Sequence, residues 1–292
     1  MAEHSGRYRR LAERLVAAGI EVWAADQRGH GRTADLAVND AGRGGLLGHC
    51  HDGDGFAAAN ADIRRINLAM KAADPGIPLF LLGHSWGSFL VRQYVASPES
   101  EFPEGKTLSG CVLSGTRGPG GFKVRAGVPI TALIVRLWGE RHGSKPARAL
   151  ADGPYRKAFR PARTPFDWLS TDGAEVDAYM ADPLCGQLCS AGFYRDLARG
   201  LLALDSETAL RRIPKDLPIL LIYGKHDPVG DYGSGPAALE AEYRRLGIGE
   251  VEGAPMAESR HEPFNDVDRE EAGSRLLSWI TRHISHTSGR EA

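Results

Sequence analysis

The chain has 292 residues, 42% of them hydrophobic and 25% charged, an ordinary globular composition that excludes a disordered, fibrous or disulfide-scaffold protein. Its 36 Lys plus Arg against 37 Asp plus Glu leave a net charge of -1, so no global field draws it to nucleic acid or to an anionic membrane. No uninterrupted apolar run approaches the ~20 residues a spanning helix needs, and the charged opening from Met1 to Arg10 leads into no signal-peptide stretch.

Tyr8, Leu11, Leu15 and Val16 recur at helical spacing, and Gly19 sits where such a helix stops. Residues 20–25 are short and mostly apolar and predict a buried strand. After a Gly-rich loop, residues 56–73 read as a helix with Ile63, Ile66 and Met70 on one side, broken by Pro75 and Gly76. A second strand is predicted over 78–82, a helix over 88–96 and a third strand over 108–114. This alternation argues for an open, mostly parallel sheet flanked by helices, with its ligand site at the carboxyl ends of the strands.

From about Gly118 the pattern changes. Val128, Ile130, Leu133, Ile134, Leu137 and Trp138 form a helical stripe, followed by polar and helical segments to about Gly200. Residues 217–223 resume the sheet, 236–246 predict a helix, and 269–284 a closing helix with Leu276, Leu277, Trp279 and Ile280. The tail 285–292 is polar. The expected organisation is a first part of an α/β core over 1–117, an inserted helical cap over 118–200 and a second core part over 201–292.

Gly83-His84-Ser85-Trp86-Gly87 carries the chemistry. The G-x-S-x-G string alone is weak, but here it lies directly between a predicted strand and a predicted helix, where a sharp turn lifts a serine hydroxyl above the sheet. Both glycines are expected to be required by crowding in that turn. A serine hydroxyl is a poor nucleophile at neutral pH, so it needs an imidazole base, itself oriented by a carboxylate. In the chain order Ser, acid, His, the candidates are Ser85, then Asp227 just past the strand 217–223, then His261 before the closing helix.

On these residues the chain resembles the α/β-hydrolase superfamily, and within it the monoacylglycerol lipase and lysophospholipase-like group, also catalogued as the serine aminopeptidase S33 type. The matching segments are Glu-His-Ser-Gly-Arg-Tyr at 3–8, Asp-Gln-Arg-Gly-His-Gly at 26–31, Gly-His-Ser-Trp-Gly-Ser at 83–88, Gly-Lys-His-Asp-Pro-Val at 224–229, and Arg260-His261-Glu262 with Asn265. The resemblance implies Ser85 as nucleophile, His261 as base and then acid, Asp227 as orienting acid, and a cap that covers the site and selects the acyl chain. It implies a small-molecule acyl ester as substrate, met at a lipid surface in one reading, and no metal or organic cofactor.

The group carries a buried strand ending in His-Gly just before the segment that here begins at Met1. An oxyanion hole made of the Trp86 N–H and a second N–H aligning with Met1 is therefore expected to be incomplete, and the native protein is expected to start some tens of residues upstream. The expected function is hydrolysis of carboxylic esters of lipid type. The alternatives are a peptidase or amidase of the same fold, or a non-catalytic product lacking the oxyanion strand.

Other features are weaker. His49, Cys50, His51, Asp52 and Asp54 suggest metal donors, but Phe56 occupies the next ligand position of a calcium loop. The Gly-rich stretch 42–55 lacks the spacing of a phosphate loop. The stripe from Val128 to Trp138 reads equally as cap core or as a surface for acyl chains or lipid. Cys50, Cys111, Cys185 and Cys189 form no C-x-x-C pair and fit a reduced, cytoplasmic setting; Cys185 and Cys189 can share a helix face, but a disulfide or redox role for them is the minor reading.

Overall fold

The computed structural model describes residues 1–34, 46–97 and 108–287; the start of the Gly-rich loop at 42–45 and the end of the polar tail lie outside them. In chain order the elements are α1 (Arg9–Ala17), α2 (Gly55–Ala73), β1 (Phe80–His84), α3 (Trp86–Val95), β2 (Gly110–Ser114), α4 (Gly121–Trp138), α5 (Lys145–Ala151), α6 (Gly153–Ala158), α7 (Gly173–Ala181), α8 (Ala191–Leu204), α9 (Glu207–Arg212), β3 (Ile219–Gly224), α10 (Ser234–Arg245), β4 (Val251–Met256) and α11 (Arg269–Thr287). They fall into two compact units. The first comprises Met1–Ala59, Gly120–Leu202 and Phe264–Asp266; the second comprises Asn60–Pro119, Ala203–Pro263 and Val267–Ala292.

The second unit is built on a parallel sheet in the order β1-β2-β3-β4, the α/β arrangement expected from the alternating pattern. β3 reads Ile-Leu-Leu-Ile-Tyr-Gly and is buried along its whole length, as a strand covered on both faces must be. Helix α3 packs on β1 and β2 through residues such as Leu90 and Tyr94, α10 on β3 and β4 through Leu239 and Tyr243, and α11 on β4. Each fully buried aliphatic side chain of this core contributes about 1.5–3 kcal/mol. At Gly110 a Cβ would lie 2.5 Å from the ring of Trp279, which itself meets Phe80 edge-on at 5.7 Å, so the absence of a side chain at Gly110 lets α11 close on the sheet.

Two sequence expectations shift here. The strand predicted over 78–82 runs instead over Phe80–His84, because its ladder to β2 starts at Phe80 opposite Gly110 while Leu79 bonds to Ser109. The helix predicted from 88 begins at Trp86, so the whole turn between strand and helix is one residue, Ser85.

The first unit holds the clearest departure. Residues 20–25 form no strand, and Trp23 is 49% exposed. An apolar run becomes a strand only when a neighbouring backbone takes its N–H and C=O groups, and among the described residues the sheet consists of β1 to β4 alone. Elsewhere in this unit local capping sets the helices. Ser144 accepts the Ala147 N–H at the start of α5, Asp172 accepts the Ala174 N–H at the start of α7, and the buried carboxylate of Asp266 takes the N–H groups of Thr171 and Asp172. The predicted apolar stripe lies on α4 and divides. Ile134 is buried beside Gly127 and Thr131, whereas Ile130, Leu133, Leu137 and Trp138 are 46% to 60% exposed. Among the described residues no helix is long and apolar enough to cross a membrane.

Candidate active site

Ser85 takes φ 52° and ψ -119°, a backbone region that side chains other than glycine rarely occupy. Two contacts hold it there. Its N–H donates to the Ser114 carbonyl at 2.8 Å, and its own carbonyl accepts the Ser88 N–H at 2.9 Å and the Ser88 hydroxyl at 2.6 Å. The flanking glycines are not equivalent. A Cβ at Gly83 would lie 2.3 Å from the Gly87 carbonyl oxygen and 2.7 Å from Val91, whereas a Cβ at Gly87 would meet nothing within 4 Å. Crowding therefore requires the first glycine, and the expectation that it requires both is corrected.

Asp227 lies three residues past the end of β3 and is fully buried. Its Oδ1 accepts the Val229 N–H at 2.8 Å, which leaves Oδ2 for His261. The loop carrying His261 follows β4 and crosses close over the end of β3: Lys225 N–H donates to the Met256 carbonyl, and His226 N–H to that of Ser259. Gly224 permits this approach, since a Cβ there would stand 2.1 Å from the Arg260 oxygen and 2.2 Å from that of Ser259. At the base of the loop, Asp268 accepts the N–H groups of Glu258 and Ser259 and the Ser259 hydroxyl.

These elements bring Ser85, His261 and Asp227 together. His261 Nδ1 lies 3.0 Å from Asp227 Oδ2, and Nε2 lies 2.8 Å from Ser85 Oγ. An ionised carboxylate only accepts, so Nδ1 carries the proton and the Nε2 lone pair faces the serine hydroxyl. That arrangement can draw a proton from Ser85 and hold the resulting imidazolium against a buried negative charge. Trp86, the first residue of α3, places its backbone N–H in the first turn, at the positive end of the helix and beside the serine. Met1 belongs to the first unit.

Sequence reasoning missed two residues of this site. His84 fills a motif position that prescribes no residue type, yet its ring lies 4.9 Å from that of His261. Ser114, at the end of the neighbouring strand, bonds His84 with its hydroxyl and Ser85 with its carbonyl. The available signal was the Ser-Gly pair closing a buried strand parallel to the one that carries the motif.

The suggested metal donors around residue 49 are used otherwise. His49 bonds Ser190 and Asp52, Asp52 pairs with Arg141, Asp54 caps α2 through the Ala57 N–H, and Cys50 donates to the Arg28 carbonyl. Among the described residues His4, Asp182 and Cys185 group their donor atoms within 4.8 Å. There the Gly6 N–H takes the Nδ1 lone pair of His4, which puts the proton on Nε2 facing Asp182 at 2.7 Å and leaves the ring no lone pair for an ion. All four cysteines are free thiols, and burial pushes those of Cys111 and Cys189 up to about 12, where they are inert.

The comparisons with known proteins converge. A monoacylglycerol lipase of Mycolicibacterium smegmatis is 29% identical over 287 residues, covering 97% of this chain and 86% of that protein. Human monoglyceride lipase is 28% identical over 233 residues, 78% of this chain and 63% of its own length. The crystal structure of a thermostable carboxyl esterase from Bacillus coagulans superposes with a TM-score of 0.82 at 27% identity, covering 97% of this chain and 87% of that one. The family model described as serine aminopeptidase, S33 matches residues 1–268, more than nine-tenths of the sequence, and the chain belongs to that family of α/β-hydrolases.

Proposed function

We propose that this chain is a carboxylic ester hydrolase that cleaves lipid-type esters, of the monoacylglycerol or lysophospholipid kind, through an acyl-enzyme on Ser85. The observation that carries the reading is the unbroken line from the buried Asp227 carboxylate through His261 to the Ser85 hydroxyl, with both links at 3.0 Å or less. As Ser85 Oγ attacks the ester carbonyl, His261 Nε2 takes the hydroxyl proton, and the tetrahedral oxyanion is held by backbone N–H groups that include that of Trp86. The proton then passes from His261 to the departing alcohol, leaving the acyl group on Ser85. Water repeats the sequence, giving its proton to His261 and its hydroxide to the carbonyl, and Ser85 leaves re-protonated.

The 118–200 insertion is the proposed cap that selects the acyl chain, between core parts at 1–117 and 201–292. Its helix α4 supports a lipid surface as the place where substrate is met: Ile130, Leu133, Leu137 and Trp138 are exposed next to the exposed cation Arg136. The free cysteines, three of the four buried, fit the cytoplasmic setting we assign.

A second reading, amide cleavage at a peptide N-terminus, is favoured by the description of the matched family. One experiment separates the two. The purified chain is labelled with a fluorophosphonate, with Ser85→Ala as control, and then assayed on a monoacylglycerol, a lysophospholipid, a soluble p-nitrophenyl ester and an aminoacyl anilide. Labelling that disappears in the variant, with turnover of the esters, supports the proposal; turnover of the anilide alone replaces it with the peptidase reading, and no labelling sinks both. Leu133→Glu is expected to lower turnover of emulsified substrate and leave the soluble ester unaffected.

A further inference from the structure

His84 ends β1 and directly precedes Ser85. Its ring packs on the ring of His261, with the centroids 4.9 Å apart and the planes inclined at 52°. Its Nδ1 lies 3.1 Å from the hydroxyl of Ser114, the residue opposite it in the register of β1 and β2. The same Ser114 accepts the Ser85 N–H through its carbonyl, so one residue of β2 pins both the histidine and the elbow. Gly115 leaves room for the pair: a Cβ there would stand 2.8 Å from His84 Cε1 and 2.7 Å from the His261 carbonyl oxygen.

We infer that His84 is a positioning residue for His261, a wall that fixes the plane of its imidazole while the two nitrogens fix its ends. The inference rests on the serine-hydrolase reading of the site. The bonds to Asp227 and Ser85 restrain His261 along the line joining its nitrogens, and they resist displacement perpendicular to the ring only weakly. His261 stands on an irregular loop, where such displacement is the soft direction. The His84 ring, its centroid 4.9 Å from that of His261, opposes it. Because the wall stands on a strand and adjoins the nucleophile, any movement of the elbow carries the wall with it, and the relative placement of Ser85 and His261 is preserved. A misplacement of about 1 Å at a reacting group costs roughly 100-fold in rate.

The test compares His84→Ala, His84→Phe and Ser114→Ala with the wild type in three measurements. These are kcat and KM on a soluble p-nitrophenyl ester, the thermal midpoint, and the low-field proton NMR signal of the His261 Nδ1–H bonded to Asp227 in the resting protein. His84→Ala is expected to lower kcat about 100-fold with KM within about twofold, and His84→Phe, which keeps a ring in place, to return to within about tenfold of the wild type. The low-field signal is expected in the wild type and the Phe variant and to broaden or vanish in the Ala variant. An unchanged kcat in His84→Ala, or a Phe variant as impaired as the Ala variant, overturns the inference. Should His84→Ala fail to fold, Ser114→Ala decides: it keeps the ring and removes its pin, so a partial loss of kcat is expected and an unchanged kcat overturns the proposal. Absence of ester turnover by the wild type would sink the hydrolase reading, whereas the NMR signal tests the packing without any substrate.

Discussion

His261 and His49 are both buried, and each lies between a serine hydroxyl and an aspartate: 2.8 Å from Ser85 and 3.0 Å from Asp227 in one case, 2.8 Å from Ser190 and 3.1 Å from Asp52 in the other. The distances barely distinguish them. The backbone does, because Ser85 stands alone in a strained turn while Ser190 precedes α8 and spends its hydroxyl accepting the Phe193 N–H, as a helix cap. The carboxylates differ as well. Asp227 is fully buried with its second oxygen on a backbone N–H, whereas Asp52 is largely exposed and its charge is shared with the Arg141 guanidinium through three hydrogen bonds. Three residues at hydrogen-bond spacing are thus not yet a catalytic device; the serine must be presented by its backbone and the carboxylate kept dry.

That contrast is broken or sharpened by substitution on each side. Ser85→Ala should remove ester turnover by a factor on the order of 10⁴ or more, read as kcat on a soluble ester. Asp227→Asn, which presents the wrong partner to His261 Nδ1, should lower kcat by roughly 10⁴. Either variant retaining near wild-type turnover would erase the distinction between the two histidines.

A third buried histidine, His30, whose Nδ1 lies 3.2 Å from the Arg28 carbonyl, shows what burial costs an imidazole. Burial is the main cause that lowers its pKa from 6.5 to about 4. The folded value lies below the unfolded one, so the unfolded chain takes up the proton first. The stability is whole above pH ~6.5 and falls as the pH drops toward 4, by about 3 kcal/mol in all, and His30→Gln should flatten this slope in denaturant titrations across that range.

Ser190→Ala should cost about 1 kcal/mol of stability as a lost helix cap and leave kcat unchanged. The smallest effect belongs to Asp52, which the Arg141 guanidinium holds at about 2. Its contribution is present above the ordinary carboxylate value and disappears as the pH falls through about 2. For so exposed a pair Asp52→Asn should move the thermal midpoint by less than about 4 °C at neutral pH.

Much of this was legible in the sequence where local chemistry alone decides. The Gly-x-Ser-x-Gly string between a strand and a helix, an aspartate just past a buried strand and a histidine before the closing helix are each placed by one element, and Ser85, Asp227 and His261 meet in the structure. Residues 20–25 misled because hydrophobicity describes what a segment tends to bury and not which backbone will pair with it. The stripe on α4 stayed open between two readings for a related reason: helical spacing marks a stripe, and only the packing shows that Ile134 turns inward while Leu133 and Leu137 do not. His84 and Ser114 stayed hidden because their role depends on the register between two strands 30 residues apart, which no local pattern encodes.

The backbone of Ser85 carries one more consequence. A non-glycine residue at φ 52° and ψ -119° costs on the order of 1–3 kcal/mol, and glycine occupies that region with little strain. Replacing Ser85 by glycine should therefore raise the melting temperature while abolishing turnover. A library of this protein selected only for heat resistance would be enriched in dead enzymes mutated at position 85, so any effort to harden it must select for activity in the same round.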